Sequence, residues 1–332
     1  MPRRNWPNGE RMWCVTLDEL QALTGAIKTE VAKAVVGMDA IVERLLVTVL
    51  AGGHALLEGP PGTAKTLLVQ SLARAIGLDF GRIQFTPDLM PGDILGSNLF
   101  NFQTSSFTLT RGPIFTELLL ADELNRTPPK TQAALLEAMQ ERRVTLDGES
   151  HLLSDRFTVI ATQNPIESQG VYPLPEAQLD RFLFKLSVPY PDAAAELRIV
   201  TGHGVRFTRI DPDSLGVAKV ADAPRLAAAI EVAAGVKMAD PIAQYIVTLI
   251  RSTRESPDLA VGASPRAAAL MARAAAATAA LAGRDYVIPD DVQAIAFDLL
   301  RHRLLLSPSA EIDGRSVDNI VRDLIDAVEA PR

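Results

Sequence analysis

Several short segments of this chain combine residue types and spacings that carry chemical meaning. Gly59-Pro60-Pro61-Gly62-Thr63-Ala64-Lys65-Thr66 is a glycine-bearing turn that ends in a lysine and a hydroxyl. Between a strand and a helix, such a turn aims backbone N–H groups at phosphate oxygens, and the helix adds the positive end of its dipole. Lys65 then reaches the β- and γ-phosphates, and Thr66 offers a hydroxyl to Mg²⁺. The strict pattern has glycine before the lysine; Ala64 is tolerated there if it holds helical dihedrals. Asp122 and Glu123 close the apolar run Leu118–Ala121. Ligands gather at the carboxyl ends of parallel strands, so Asp122 is placed to orient water on Mg²⁺ and Glu123 to polarise an attacking water. An acidic pair also suits a helix start; the phosphate loop upstream tips the balance.

Asn164 follows a second apolar run, Thr158–Ala161. Its amide can bond both a lytic water and a phosphate oxygen, but Asn-Pro is also a common turn dipeptide, and the residues alone leave both open. Ser264-Pro265 is a helix entry that puts Arg266 in the first turn, where a cation needs an anion beside it. A nucleotide phosphate or a carboxylate would serve. Arg181 is either a finger toward a nucleotide, in its own chain or a neighbour's, or a surface ion pair. Together the segments supply what hydrolysis of a nucleoside triphosphate requires.

The surrounding pattern supplies elements to position them. Thr16-Leu17-Asp18-Glu19 is a capping box opening a helix to about Ala34, and Asp39–Leu50 has helical spacing. A short strand over 54–58 enters the glycine loop, and a helix over 66–76 stops at Gly77. Strands are expected at 99–102 and 107–110 around a turn at 104–106. Buried strands are expected over 114–121, 157–161 and 182–188, with a helix over 131–141. A hairpin over 144–153 turns at Asp147-Gly148. Beyond Pro191 the pattern is helical, with starts at Asp192, Asp222, Asp240, Ser264 and Pro289. The fold class is therefore α/β, with a parallel sheet covered by helices on both faces, followed by an all-α domain. The division is a flexible extension over 1–15, a nucleotide-binding domain over 16–190 and a helical domain over 191–332.

Bulk composition narrows the function classes. The 332 residues carry 33 basic and 40 acidic side chains, a net charge of −7 that argues against nucleic acid as the main partner. One cysteine, Cys14, excludes an internal disulfide and a thiolate cluster. The basic N-terminus lacks an apolar segment behind it, and no stretch is apolar enough to span a bilayer, so a cytoplasmic protein is expected.

Taken together, Leu56-Leu57-Glu58 with the glycine loop, Arg82-Ile-Gln-Phe-Thr-Pro-Asp88, Leu120-Ala-Asp-Glu-Leu-Asn-Arg-Thr-Pro-Pro-Lys-Thr-Gln132, Ala161-Thr-Gln-Asn-Pro165, Leu179-Asp-Arg-Phe182 and Gly262-Ala-Ser-Pro-Arg266 resemble the MoxR family of AAA+ ATPases, from about Leu17 to about Leu306. The resemblance implies a P-loop NTPase αβα sandwich with a helical lid, binding ATP and Mg²⁺. It implies a Walker A loop at 59–66, where alanine before the lysine is familiar in the family, Walker B at Asp122-Glu123 and sensor 1 at Asn164. Arg181 matches the arginine finger acting on an adjacent subunit, and Arg266 matches sensor 2. Val36-Gly37 matches the segment near adenine, although Met38 stands where glutamine is frequent. The strand pair around Thr104 resembles the helix-2 insert, and the Asp147-Gly148 hairpin the pre-sensor insert; such inserts are candidates for touching substrate. Rings, usually hexamers, with a chaperone-like role and partners bearing von Willebrand factor A domains are also implied. A magnesium-chelatase-like metal-insertion ATPase and an ATP-binding switch with little turnover are the alternatives.

Overall fold

The computed structural model describes residues 15–101, 106–165, 170–203 and 210–331. The expected turn at 104–105 and almost all of the N-terminal extension lie outside these residues.

Chain order builds the site early. Helix α1 (Leu17–Val31) starts at Thr16, which forms the capping box with Glu19; α2 (Asp39–Leu50) leads to β1 (Ala55–Glu58). After the glycine loop comes α3 (Lys65–Ile76), closed by Gly77 at φ 75°. Next are β2 (Phe80–Gln84), the short α4 (Pro91–Leu95), and the hairpin of β3 (Gly96–Asn101) and β4 (Ser106–Arg111). Strand β5 (Leu118–Asp122) and α5 (Pro129–Glu141) follow, then the hairpin of β6 (Arg143–Leu146) and β7 (Glu149–Leu152). Then come β8 (Thr158–Gln163), α6 (Glu176–Leu179) and β9 (Phe184–Ser187).

The remainder is mostly helical: α7 (Ala193–His203), α8 (Ala223–Ala234), α9 (Asp240–Glu255), α10 (Pro265–Leu281) and α11 (Pro289–Leu300). A small pair of β10 (Leu259–Val261) and β11 (Leu305–Leu306) precedes α12 (Pro308–Ile312) and α13 (Val317–Ala327).

Five strands form one parallel sheet in the order β2-β5-β8-β1-β9. Side chains alternate across it, as strand geometry demands. Leu57, Leu118, Leu120 and Ile160 enter one core with α1, α2, α3 and the later helices. Leu56, Leu119, Ala121, Val159 and Ala161 enter a second core with Leu135, Leu136 and Met139 of α5. This explains why β5 and β8 read as continuous apolar runs.

Three expectations needed correction. The apolar stretch 114–121 is not all strand: only Leu118–Asp122 pairs, because Glu117 turns aside to accept from the Asp79 amide and to pair with Arg156. Strand β2 was not anticipated; it is an edge strand with one fully covered side chain, Ile83, so it lacks an apolar run. Ser264 has N-cap dihedrals but makes no capping bond, and its Oγ is buried without a partner.

Two arginines fasten α11 and the turn after it to the earlier part of the chain. Arg44 of α2 pairs with Asp298 of α11 at 3.1 Å. Arg303, just past α11 and 8 % exposed, donates Nε to Asp180 Oδ1 at 2.8 Å and Nη2 to the Phe182 carbonyl at 2.6 Å. A buried guanidinium needs such paired and hydrogen-bonded surroundings.

Candidate active site

Strand register decides what the carboxyl edge of the sheet presents. Gln84 lies beside Asp122, and Glu58 beside Gln163, so the residues that follow β1, β5 and β8 converge. They line a cleft of about 510 Å³ that includes Lys65, Thr66, Asp122, Glu123 and Asn164.

The glycine loop is tightly built. A β-carbon at Gly59 would lie 2.3 Å from the Val188 carbonyl, and Gly62 sits at φ 80°. Pro60 contributes its carbonyl, which accepts from Thr63 Oγ1 at 3.0 Å, while Pro61 lines the cleft. Lys65 Nζ donates to the carbonyls of Gly59 (2.8 Å) and Pro60 (2.7 Å). Partial burial lowers its pKa, opposed by Asp122 and Glu123. Ala64 does not take the right-handed helical dihedrals expected of it. It is left-handed, φ 57° and ψ 23°, a conformation costing an L-residue about 1–2 kcal/mol. Glu123 is left-handed as well, at φ 58°. Strained backbone of this kind collects at functional sites.

Asp122 is almost fully buried and saturated. Its Oδ2 accepts from Thr66 Oγ1 (3.1 Å) and from Arg82 Nη2 (2.7 Å), and its Oδ1 from Thr162 Oγ1 (2.6 Å). Thr162 Oγ1 also accepts the Glu123 amide at 2.8 Å, locking the two acids together. The Glu123 carboxylate accepts from Gln84 Nε2 at 2.6 Å and pairs with Arg126 at 3.1 Å. Asn164 is buried at the end of β8, inside the same cleft.

The oxygen set of Thr66 and Asp122 fits Mg²⁺. A hydroxyl and a carboxylate meet at one spot, and Mg²⁺ is typically held by few protein oxygens together with phosphate and water. No group of three or more His, Cys, Asp or Glu suited to an all-protein cage exists among the described residues. Beside the cleft, an apolar slot of about 200 Å³ is bounded by Val35, Val36, Met38, Leu67 and Ile199. It shares Gly62, Thr63 and Ala64 with the first cleft, the adjacency that a base pocket beside a triphosphate site would require. Gly37, at φ 76°, turns the chain there, and a β-carbon on it would meet Ala195 at 3.4 Å.

Arg181 and Arg266 are not at this cleft. The structure puts them together in a separate cavity of about 270 Å³ that is also lined by Gly52, Gly53, His54, Arg142 and Arg273. Gly52–His54 precede β1, so this cavity lies at the amino edge of the sheet. The four residues of β1, about 13 Å at strand rise, separate the two sites. A role for Arg266 at its own chain's phosphates is therefore not supported: α10 begins beside the wrong end of β1. Arg181 donates Nε to Gln140 Oε1 at 3.1 Å. Arg303 grips it from behind, bonding the carbonyls of both its neighbours, Asp180 and Phe182.

Sequence reasoning gave no role to Arg82, Gln84, Arg126, Thr162, Arg142 or Arg273. Arg82 and Gln84 stand in a quoted motif, and Thr162 adjoins Asn164, so proximity was the available signal. The two further arginines had none, since their grouping comes from packing.

Comparison with known proteins agrees with this architecture. Residues 54–184 match the ATPase family associated with various cellular activities (AAA), and residues 251–324 match the AAA lid domain. The protein YeaC of Bacillus subtilis is 44% identical over 95% of this chain and 97% of its own. Chaperone MoxR1 of Mycobacterium tuberculosis is 44% identical over 95% of this chain and 84% of its own. Protein MoxR of Methylorubrum extorquens is 32% identical, covering 91% and 93%. A crystal structure of a candidate ATPase from Cytophaga hutchinsonii superposes with a TM-score of 0.87 at 38% identity, covering 95% of this chain and 97% of that one. With the phosphate cleft, the parallel sheet and the helical lid in place, the chain belongs to the MoxR family of AAA+ ATPases.

Proposed function

We propose that this ATPase hydrolyses Mg²⁺–ATP in a ring of identical subunits, a hexamer by family resemblance, and that turnover drives chaperone-like remodelling or maturation of a partner protein. The observation that carries this reading is the placement of the phosphate cleft and the paired Arg181 and Arg266 at opposite edges of one sheet. A head-to-tail interface brings one subunit's amino edge to the next subunit's carboxyl edge, and repeated rotation closes such contacts into a ring.

In this reading the 59–66 loop and Lys65 bind the triphosphate, and the slot at Val36 and Gly37 takes the base. Thr66 and Asp122 hold Mg²⁺, which neutralises charge on the β- and γ-phosphate oxygens. Glu123, oriented by Gln84 and Arg126, draws the proton of the attacking water, and Asn164 bonds that water and a phosphate oxygen. Arg181 and Arg266 stabilise the developing charge on the neighbour's phosphates.

The chaperone role rests on the name of the mycobacterial relative. A partner with a von Willebrand factor A domain and a cytoplasmic location belong to the same proposal. No helix among the described residues is long and apolar enough to cross a membrane. We further take residues 16–190 as the nucleotide domain and 191–332 as the lid.

Steady-state ATP hydrolysis across protein concentrations, with mass by light scattering, tests the reading. Specific activity that rises together with ring mass is expected. Full activity in a monomer would refute the shared site.

A further inference from the structure

Beyond the two arginines just assigned, the amino-edge cavity holds two more. Arg142 caps α5 in a left-handed conformation, φ 51°. Its guanidinium is fixed by backbone alone, Nη1 to the Asp155 carbonyl at 2.7 Å and Nη2 to the Gly52 carbonyl at 3.1 Å. Arg273 lies seven residues after Arg266 on α10, two helical turns along the same face, with Leu270 between them. Both α10 arginines are exposed, and neither pairs with a carboxylate among the described residues. Four guanidiniums thus line one cavity whose wall contains no Asp or Glu.

Like charges gathered without counter-charge destabilise a fold unless an anion offsets them. Partial desolvation where its guanidinium enters the cavity, with the neighbouring Arg142 and Arg266, lowers the pKa of Arg273, in keeping with this crowding. His54 beneath the cavity adds no charge at neutral pH. Its Nδ1 accepts the Val159 amide at 3.0 Å, its Nε2 contacts the Met139 carbonyl at 3.2 Å, and burial brings its pKa down to about 4. Arg284 and Arg303, by contrast, find acids, Asp291 and Asp180. Among the described residues no carboxylate lines the cavity to supply that anion.

We propose that Arg273 and Arg142 complete, with Arg181 and Arg266, a four-guanidinium receptor for the polyphosphate chain of the nucleotide held by the adjacent subunit. This rests on the shared-site reading above. Arg273 is a charged donor on an exposed helix face; Arg142 is the anchored contact, held by two carbonyls. Planar guanidiniums suit phosphate oxygens because each offers paired N–H donors.

The test mixes two inactive chains. A donor, Lys65→Ala, lacks its own phosphate site; an acceptor, Arg181→Ala, binds ATP but offers no finger. Mixed assemblies, checked by mass, are expected to regain hydrolysis where a donor's arginines face an acceptor's ATP. Arg273→Gln added to the donor is expected to lower the regained rate about tenfold or more, while the same change on the acceptor costs less than twofold. Regained hydrolysis unaffected by donor Arg273→Gln would overturn this inference and leave the shared site standing. No regained hydrolysis in confirmed mixed assemblies would overturn the shared site and this inference with it.

A second readout needs no ring. Calorimetric binding of inorganic tripolyphosphate to the Lys65→Ala chain should weaken about tenfold on adding Arg273→Gln. Unchanged affinity would count against the receptor.

Discussion

The carboxyl and amino edges of the same sheet handle charge in opposite ways. At the carboxyl edge charges of opposite sign meet: Asp122 pairs with Arg82 and Glu123 with Arg126, while Lys65 rests on loop carbonyls. At the amino edge four arginines share a cavity lined by no acid. A balanced site can be assembled and held before substrate arrives, which is what positioning and electrostatic catalysis require. An unbalanced one gains its full stabilisation only when an anion is delivered. In the shared-site reading proposed above, this difference is what lets one chain carry both halves of an active site that it cannot close alone.

The sharpest way to break the comparison is Arg181→Ala. It is expected to cut ATP turnover about 10³-fold or more, as loss of an arginine finger does, with ATP affinity of the same chain unchanged. A parallel loss of affinity, read by nucleotide titration, would mean that the edges are not separate. Glu123→Gln attacks the other edge. Turnover should fall about 10²–10⁴-fold while ATP binding persists, because the amide keeps the shape but cannot accept the proton; retained hydrolysis would remove Glu123 from its role.

Acidification probes the floor of the arginine cavity. The native His54 ring titrates at about 4 because burial disfavours its charged form, whereas the unfolded chain titrates near the ordinary 6.5. Between those values the unfolded state binds the extra proton, so stability declines as pH falls through this window, by roughly 3 kcal/mol once pH is well below 4. His302, buried next to Arg303, shifts in the same direction. Urea midpoints at several pH values and the imidazole resonances check this: a His54 ring that protonates near pH 6.5 would contradict it. The smallest effect sharpens the carboxyl edge. Ala64→Gly should relieve the left-handed strain and raise stability by about 1 kcal/mol, partly offset by the entropy of glycine in the unfolded chain. Destabilisation in thermal melts would show that the methyl is well packed.

Much of the carboxyl edge was legible in advance because each of its parts is local. A glycine loop between strand and helix and an acid pair ending an apolar run are visible within a few residues, whereas Asn164 after the next strand stays open between a polar contact and a turn without the family resemblance. The capping box at Thr16 and Glu19, the Asp147-Gly148 hairpin and the stop at Gly77 were read for the same reason. Strand β2 was not, because an edge strand carries no buried run, and the left-handed Ala64 was not, because dihedrals follow from the closed loop rather than from the residue.

What the amino-acid order determined by itself was the set of parts: the α/β pattern, the helical end, the phosphate loop and the acids that serve it. Only the tertiary structure decided where the arginines go. Arg142, Arg181, Arg266 and Arg273 come from the end of α5, the turn after α6 and two turns of α10, segments far apart in the chain. Long-range packing, through contacts such as Arg303 on Asp180 and Phe182, brings them to the amino edge, and no local spacing encodes that distance.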